Sequence, residues 1–257
     1  MTNASSPAEG ARSLRGARVL VTGAGRRVGA AIARAFGAEG AFVAVHYARS
    51  AAGAQATARS IQQAGGRAEL FEADLSRPAM AEQLGHAVVG RLGGLDVLVP
   101  SAAIFEHLPF EQAAAEDYRR HWELNTLAPL LLLRSTLPAL RARRGSVVFV
   151  TCSSTVLPYP EFLPYVSAKG ALATATRALA VELAPEVRVN AVAPGTVAPP
   201  EGTSRQTVER WRRDIPLERI GHPDDVARAV LHLAREPFVT GQTLVVDGGR
   251  TAGLASP

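Results

Sequence analysis

From residue 18 onward, short apolar, β-branched runs alternate with longer alanine-rich segments, and no other feature of the chain limits its fold so tightly. Residues 18–22 (RVLVT) read as a strand. Residues 27–39 read as a helix that places Val28, Ile32, Ala35 and Phe36 on one face. The pattern then repeats. Strands are predicted at 42–46, 67–73, 96–99, 147–151, 188–192 and 243–246. Helices are predicted up to about 64, over 78–92 behind Pro78, and over 162–183, 204–214 and 223–234. A long helical region covers 113–143, with interruptions expected near Pro129 and Pro138.

The strands are apolar along nearly their whole length, so both faces must be covered. Strand–helix alternation with right-handed crossovers predicts an α/β, single-domain Rossmann fold. Its doubly wound, seven-stranded parallel sheet has order 3-2-1-4-5-6-7 and helices on both faces. A chain of 257 residues, 47% hydrophobic and 20% charged, suits one core of this kind. One domain is expected over 16–250, between a polar, disordered tail at 1–15 and a C-terminal tail at 251–257. The early apolar run, Val19 to Val21, is far too short to span a bilayer or serve as a signal core. Cys152 is the sole cysteine, which excludes an intramolecular disulfide and fits a reducing cytoplasm. The net charge is +5, but the arginines are scattered, aromatics are 5%, and no nucleic-acid motif is present. A small-molecule substrate is therefore expected, with no nucleic acid, membrane or metal partner.

Ligands of such a sheet bind beyond the carboxyl ends of its strands. After the first strand comes Thr22-Gly23-Ala24-Gly25-Arg26-Arg27-Val28-Gly29, a glycine loop that opens a helix. Glycines let backbone approach a pyrophosphate, and the helix start offers free N–H groups. An NAD site usually carries an acid at the end of the second strand. Here the residues are His46, Tyr47, Ala48, Arg49 and Ser50. With Arg26 and Arg27 alongside, these cations and hydroxyls suit the 2′-phosphate of NADP(H), although Arg49 also reads as a solvated helix-start residue.

Tyr165 and Lys169 lie four residues apart on a predicted helix and share a face. Lysine and arginine together number 28, and Lys169 is the one lysine. An ammonium near a phenol favours phenolate and lowers its pKa, which would make Tyr165 a usable acid near neutrality. Arginine, larger and unable to release a proton, does not replace a lysine in that role.

Together these segments resemble the short-chain dehydrogenase/reductase family over nearly the whole chain. The resemblance rests on TGAGRRVG at 22–29, Asp74-Leu75, Asn125 in LNTLAP, YVSAK, RVNAVAPG at 188–195 and GQTLVVDGG at 241–249. Arg26-Arg27 with VHYARS at 45–50 resembles the pteridine-reductase-like branch, which uses NADPH. The resemblance implies that Tyr165 protonates the substrate as hydride arrives, and that Lys169 holds the nicotinamide ribose. It gives Asn125 a water that links Lys169 to solvent; the alternative is an asparagine bonded to helix backbone. Asp74 and Leu75 would flank the adenine, although Asp74 could equally cap the next helix. Pro194, Gly195 and Thr196 would frame the carboxamide, with Val197 also at the cofactor. Phe105 matches a position where an aromatic ring stacks on a pterin, and reads equally as an apolar wall. The family's habit also implies a homotetramer or homodimer.

Two positions depart from the family pattern. Its usual serine, thirteen residues before Tyr165, is Cys152, followed by Ser153 and Ser154. A thiol is a weak donor. Its usual Asn-Asn-Ala-Gly is Pro100-Ser101-Ala102-Ala103, where proline removes a backbone donor near the adenosine. Tyr159, Phe162 and Leu157 are expected along one side of the substrate pocket, and Trp211 in a lid over 197–216. The expected function is an NADPH-dependent reductase of a carbonyl, or of a pterin-like C=N bond. The alternative is a degenerate member that binds NADP as a sensor or partner protein.

Overall fold

The computed structural model describes residues 10–199 and 202–253. Seven parallel strands form one sheet in the order β3-β2-β1-β4-β5-β6-β7. They are β1 (Arg18–Val21), β2 (Phe42–Tyr47), β3 (Arg67–Glu72), β4 (Val97–Val99), β5 (Ser146–Val150), β6 (Arg188–Pro194) and β7 (Thr243–Val246). The helices are α1 (Arg27–Ala38), α2 (Ala51–Gln63), α3 (Pro78–Leu92), α4 (Ala115–Trp122), α5 (Ala128–Ala142), α6 (Leu163–Glu182), α7 (Arg205–Arg213) and α8 (Pro223–Arg235). The predicted strand order and two-sided helix cover are observed.

Alternate side chains of each central strand feed two separate cores, as the period of two requires. Val19, Val21, Val43, Val45, Val148 and Val150 pack under α1, α2 and α8. Leu20, Ala44, Leu98, Val147 and Phe149 pack under α3, α5 and α6. The edge strands β3 and β7 are only partly buried.

Local chemistry sets the helix ends. Pro78 lies in the first turn of α3, where a missing N–H costs nothing, and Gly93 closes α3 in the left-handed conformation at φ 71°. The Asp225 carboxylate accepts from His222 N at 2.8 Å and fixes the start of α8.

Two expectations need correction. Pro138 lies inside α5 and does not end it. Its neighbours Leu133, Thr136 and Leu140 are buried, and α5 packs against α3, so tertiary burial outweighs one lost backbone bond. Pro129, in turn, sits in the first turn of α5, directly after a π-helical turn at Glu123–Leu127. The N-terminal tail is anchored from Arg12 onward, not disordered through residue 15. Leu14 is buried. Arg12 donates to the Asp96 carboxylate at 3.1 Å and to the Arg144 carbonyl at 2.8 Å. The rest of that tail (1–9), residues 200–201 of the expected lid and residues 254–257 lie outside the described residues.

Candidate active site

The carboxyl ends of the strands bring the loops after β1, β2, β3, β4, β5 and β6 to one edge of the sheet. Thr22, the first residue past β1, accepts hydrogen bonds from Ser101 N at 2.9 Å and Ala102 N at 3.0 Å through one hydroxyl. This hydroxyl ties the loop after β4 to the glycine loop without an asparagine pair. Pro100 gives up an N–H, yet its carbonyl still accepts from Val150 N at 3.2 Å. Gly23 has φ 65°, and a Cβ there would lie 2.9 Å from Ala102 Cα, so two separate constraints demand glycine. At Gly25 a Cβ would meet Ser50 Cβ and O at 2.9 Å, which seats the glycine loop against the start of α2.

Neither α1 nor α2 has a side-chain cap at its N-cap residue (Arg26 and Ser50), and neither carries an acid in its first turn. Arg26, Arg27 and Arg49 are exposed beside these two helix starts. Arg27 adopts φ 51° and donates to the Ala198 carbonyl. Free N–H groups, helix dipoles and guanidinium groups together fit a phosphorylated dinucleotide. Tyr47 donates to the Glu72 carboxylate at 3.2 Å. Asp74 accepts from the Ser76 hydroxyl at 2.7 Å and its N–H at 3.1 Å. Those bonds, together with the charges of Arg49 and Arg77, hold its carboxyl below the ordinary value. Leu75 is buried.

His46 is a brace for this region. Its Nδ1 accepts from Gly23 N at 3.1 Å, so Nε2 carries the proton and donates to the Ala73 carbonyl at 3.0 Å. Burial lowers its pKa from 6.5 to about 4, and the ring is neutral. Both ring nitrogens are thus used inside the protein, and the side chain acts by holding backbone.

The reaction centre lies between β5 and α6. Residues Ser153–Thr155 form a short 3-10 turn past β5, and the Cys152 sulfur accepts from Ser154 N at 3.4 Å. Tyr165, in the first turns of α6, is buried. Burial pushes its phenol well above the ordinary value, and the adjacent Cys152 adds to this through charge and a hydrogen bond. The Cys152 side chain thus acts on the Tyr165 phenol. Ser153 instead bonds the Tyr159 hydroxyl at 2.8 Å.

Lys169 lies on the same face, 2% exposed, and donates to the Val150 carbonyl at 2.7 Å. Its Nζ is 6.0 Å from the Tyr165 ring centroid. The expected lowering of the Tyr165 pKa by this ammonium is not observed, because the ammonium points at the strand end and burial dominates the phenol. Burial also lowers Lys169 itself, from 10.5 to about 8.

Aromatic rings wall the site. Phe105 stacks on Phe162 at 4.4 Å and meets Tyr165 edge-on at 4.7 Å. Tyr159 approaches Phe162 edge-on at 6.5 Å. Asn125, in the π turn, accepts from Ile104 N and donates to the Ile104 carbonyl, both at 3.0 Å. It thus braces the loop that carries Phe105, not its own helix. Gly195, past β6, donates to the Val246 carbonyl at 2.9 Å, and Val197 bridges to Gly221. Trp211 is half-buried on α7.

Sequence reasoning missed Arg250. Its guanidinium donates to the Thr196 hydroxyl at 3.3 Å and lies 5.4 Å from the Tyr159 ring centroid. The rule that selected the other loops, applied to the end of β7, points to it.

The family model described as enoyl-(acyl carrier protein) reductase matches residues 23–251. A 3beta-hydroxysteroid dehydrogenase of Eggerthella lenta is 35% identical, with 93% of this chain and 95% of that protein covered. Among solved structures, the angucycline C-6 ketoreductase LanV with bound NADP is 30% identical, TM-score 0.88, covering 95% of this chain and 100% of that one. The promiscuous reductase LugOII, which catalyses keto-reduction at C1 in lugdunomycin biosynthesis, is 32% identical at TM-score 0.88, covering 94% and 100%. The chain belongs to the short-chain dehydrogenase/reductase family of oxidoreductases.

Proposed function

We propose that the protein is an NADPH-dependent reductase of aromatic or polycyclic ketones, with Tyr165 as the proton donor. One observation carries the reading: a buried, protonated phenol beside a buried ammonium, facing a wall of stacked aromatic rings. The names of the ketoreductase relatives support the substrate class.

NADPH, when bound, supplies the hydride. The pyrophosphate suits the free N–H groups at the start of α1, and the 2′-phosphate suits Arg26, Arg49 and Ser50. Thr196 and Gly195, just past β6, would bound the nicotinamide side. Lys169 offers its remaining protons to ribose hydroxyls. Phe105 and Phe162 orient a flat ring and exclude water from its carbonyl. Tyr165 holds its proton firmly and gives it to the far more basic alkoxide oxygen that forms as the carbonyl is reduced. A phenol raised in pKa is protonated at neutral pH, the form that reduction requires. Reduction of a pterin C=N bond is the narrower variant; the half-exposed Phe105 ring is its support.

The test is NADPH oxidation against a panel of aryl ketones, quinones and pterins, with Tyr165→Phe as control. Turnover of a ketone or quinone that Tyr165→Phe abolishes is the expected result. NADPH binding with no turnover above that control would favour a sensor or partner protein. A homodimer or homotetramer accompanies this reading, checked by light scattering.

A further inference from the structure

We infer that the Tyr159 hydroxyl is a second hydrogen-bond donor to the substrate oxygen, held in place by Ser153 and supplying what the thiol of Cys152 cannot. The inference rests on the reductase reading above. It begins with a deficit: the group beside Tyr165 is a sulfur, a weak donor, where polarising a carbonyl calls for a hydroxyl.

A hydroxyl is nevertheless present at the site. Tyr165 stands edge-on to Phe105 and Tyr159 edge-on to Phe162, the two rings of one stacked pair, so both tyrosines border the same site next to Cys152 and Ser153. Ser153 is 1% exposed and its Oγ lies 2.8 Å from the Tyr159 oxygen. When Ser153 donates in that bond, the phenol hydrogen of Tyr159 is free to point at a ligand. The ring is held on its other sides as well. Phe162 meets it edge-on, and the Arg250 guanidinium lies over it, anchored to the Thr196 hydroxyl. Burial raises the Tyr159 phenol above its ordinary value, and the Arg250 cation works against that rise. Tyr159 transfers no proton in this scheme. It shares the growing charge on the substrate oxygen while Tyr165 delivers the proton.

A role confined to pinning the 152–162 loop makes a different forecast, and the two separate in one experiment. Tyr159→Phe, Cys152→Ser, the double variant and Tyr165→Phe are assayed with NADPH and an aryl ketone that the wild type reduces, alongside thermal melting. We expect Tyr159→Phe to lower kcat about 10²-fold, with KM for NADPH unchanged and melting little altered. Cys152→Ser in that background should recover at least about tenfold, because a hydroxyl at residue 152 reaches the same oxygen. A kcat within about twofold of wild type for Tyr159→Phe would overturn the inference, as would a large loss that Cys152→Ser fails to repair. If the wild type itself reduces no ketone or quinone, the reductase reading falls and this inference falls with it.

Discussion

The two halves of the site treat their buried ionisable groups in opposite ways. On the nucleotide side, His46 is buried with both ring nitrogens satisfied by backbone, and its charge state is fixed as neutral. On the reaction side, Tyr165, Lys169 and Cys152 are buried together; Lys169 donates to the Val150 carbonyl and the Cys152 sulfur accepts from Ser154 N. The first arrangement spends its burial on rigidity. The second keeps proton-bearing groups dry: burial raises the Tyr165 phenol and lowers the Lys169 ammonium, the pattern of a site arranged for chemistry.

Substitutions on the two sides should therefore part company. The largest effect is expected on the reaction side: Tyr165→Phe should reduce ketone turnover by 10³-fold or more while leaving NADPH affinity within about twofold, by fluorescence titration.

Lys169→Met should also abolish turnover, yet stabilise the fold. Holding a buried ammonium whose pKa has fallen from 10.5 to about 8 costs about 3 kcal/mol below pH 8. The unfolded chain binds more protons than the folded one between pH 8 and 10.5, so wild-type stability rises across that window. The advantage of Lys169→Met, seen in denaturant midpoints at pH 7, should shrink as the pH climbs through it.

His46 gives the matching effect on the nucleotide side, at acid pH. Its folded pKa of about 4 lies below the ordinary 6.5, so the unfolded chain takes up the proton first. About 3 kcal/mol of stability, fully present above pH 6.5, should be lost as the pH falls to 4. His46→Gln should flatten that part of the stability–pH curve.

Not all of this was legible in the sequence. The strands announced themselves because a sheet covered on both faces needs continuous apolar runs such as VVFV in β5. Tyr165, Lys169 and Cys152 stood out by spacing. The bond from Ser153 to Tyr159 did not, because it depends on a 3-10 turn that no periodicity marks. Pro100 looked like damage until Thr22 proved to hold both following N–H groups. The contacts of Arg250 cross from β7 to β6, a separation in sequence that local patterns do not register.

Thr22 offers a smaller test of the nucleotide side. Thr22→Val strips the acceptor from two backbone donors and should cost about 1–3 kcal/mol, read by chemical denaturation. The smallest effect is expected from Arg49→Ala, which should weaken NADPH about tenfold while leaving NADH unchanged. Equal losses for both cofactors would remove Arg49 from the 2′-phosphate site.

The most direct measurement of the central claim is single-turnover oxidation of enzyme-bound NADPH on mixing with an aryl ketone. The account expects rapid loss of the reduced nicotinamide absorbance in wild type and none in Tyr165→Phe, with both proteins binding NADPH. Equal rates in the two would contradict it.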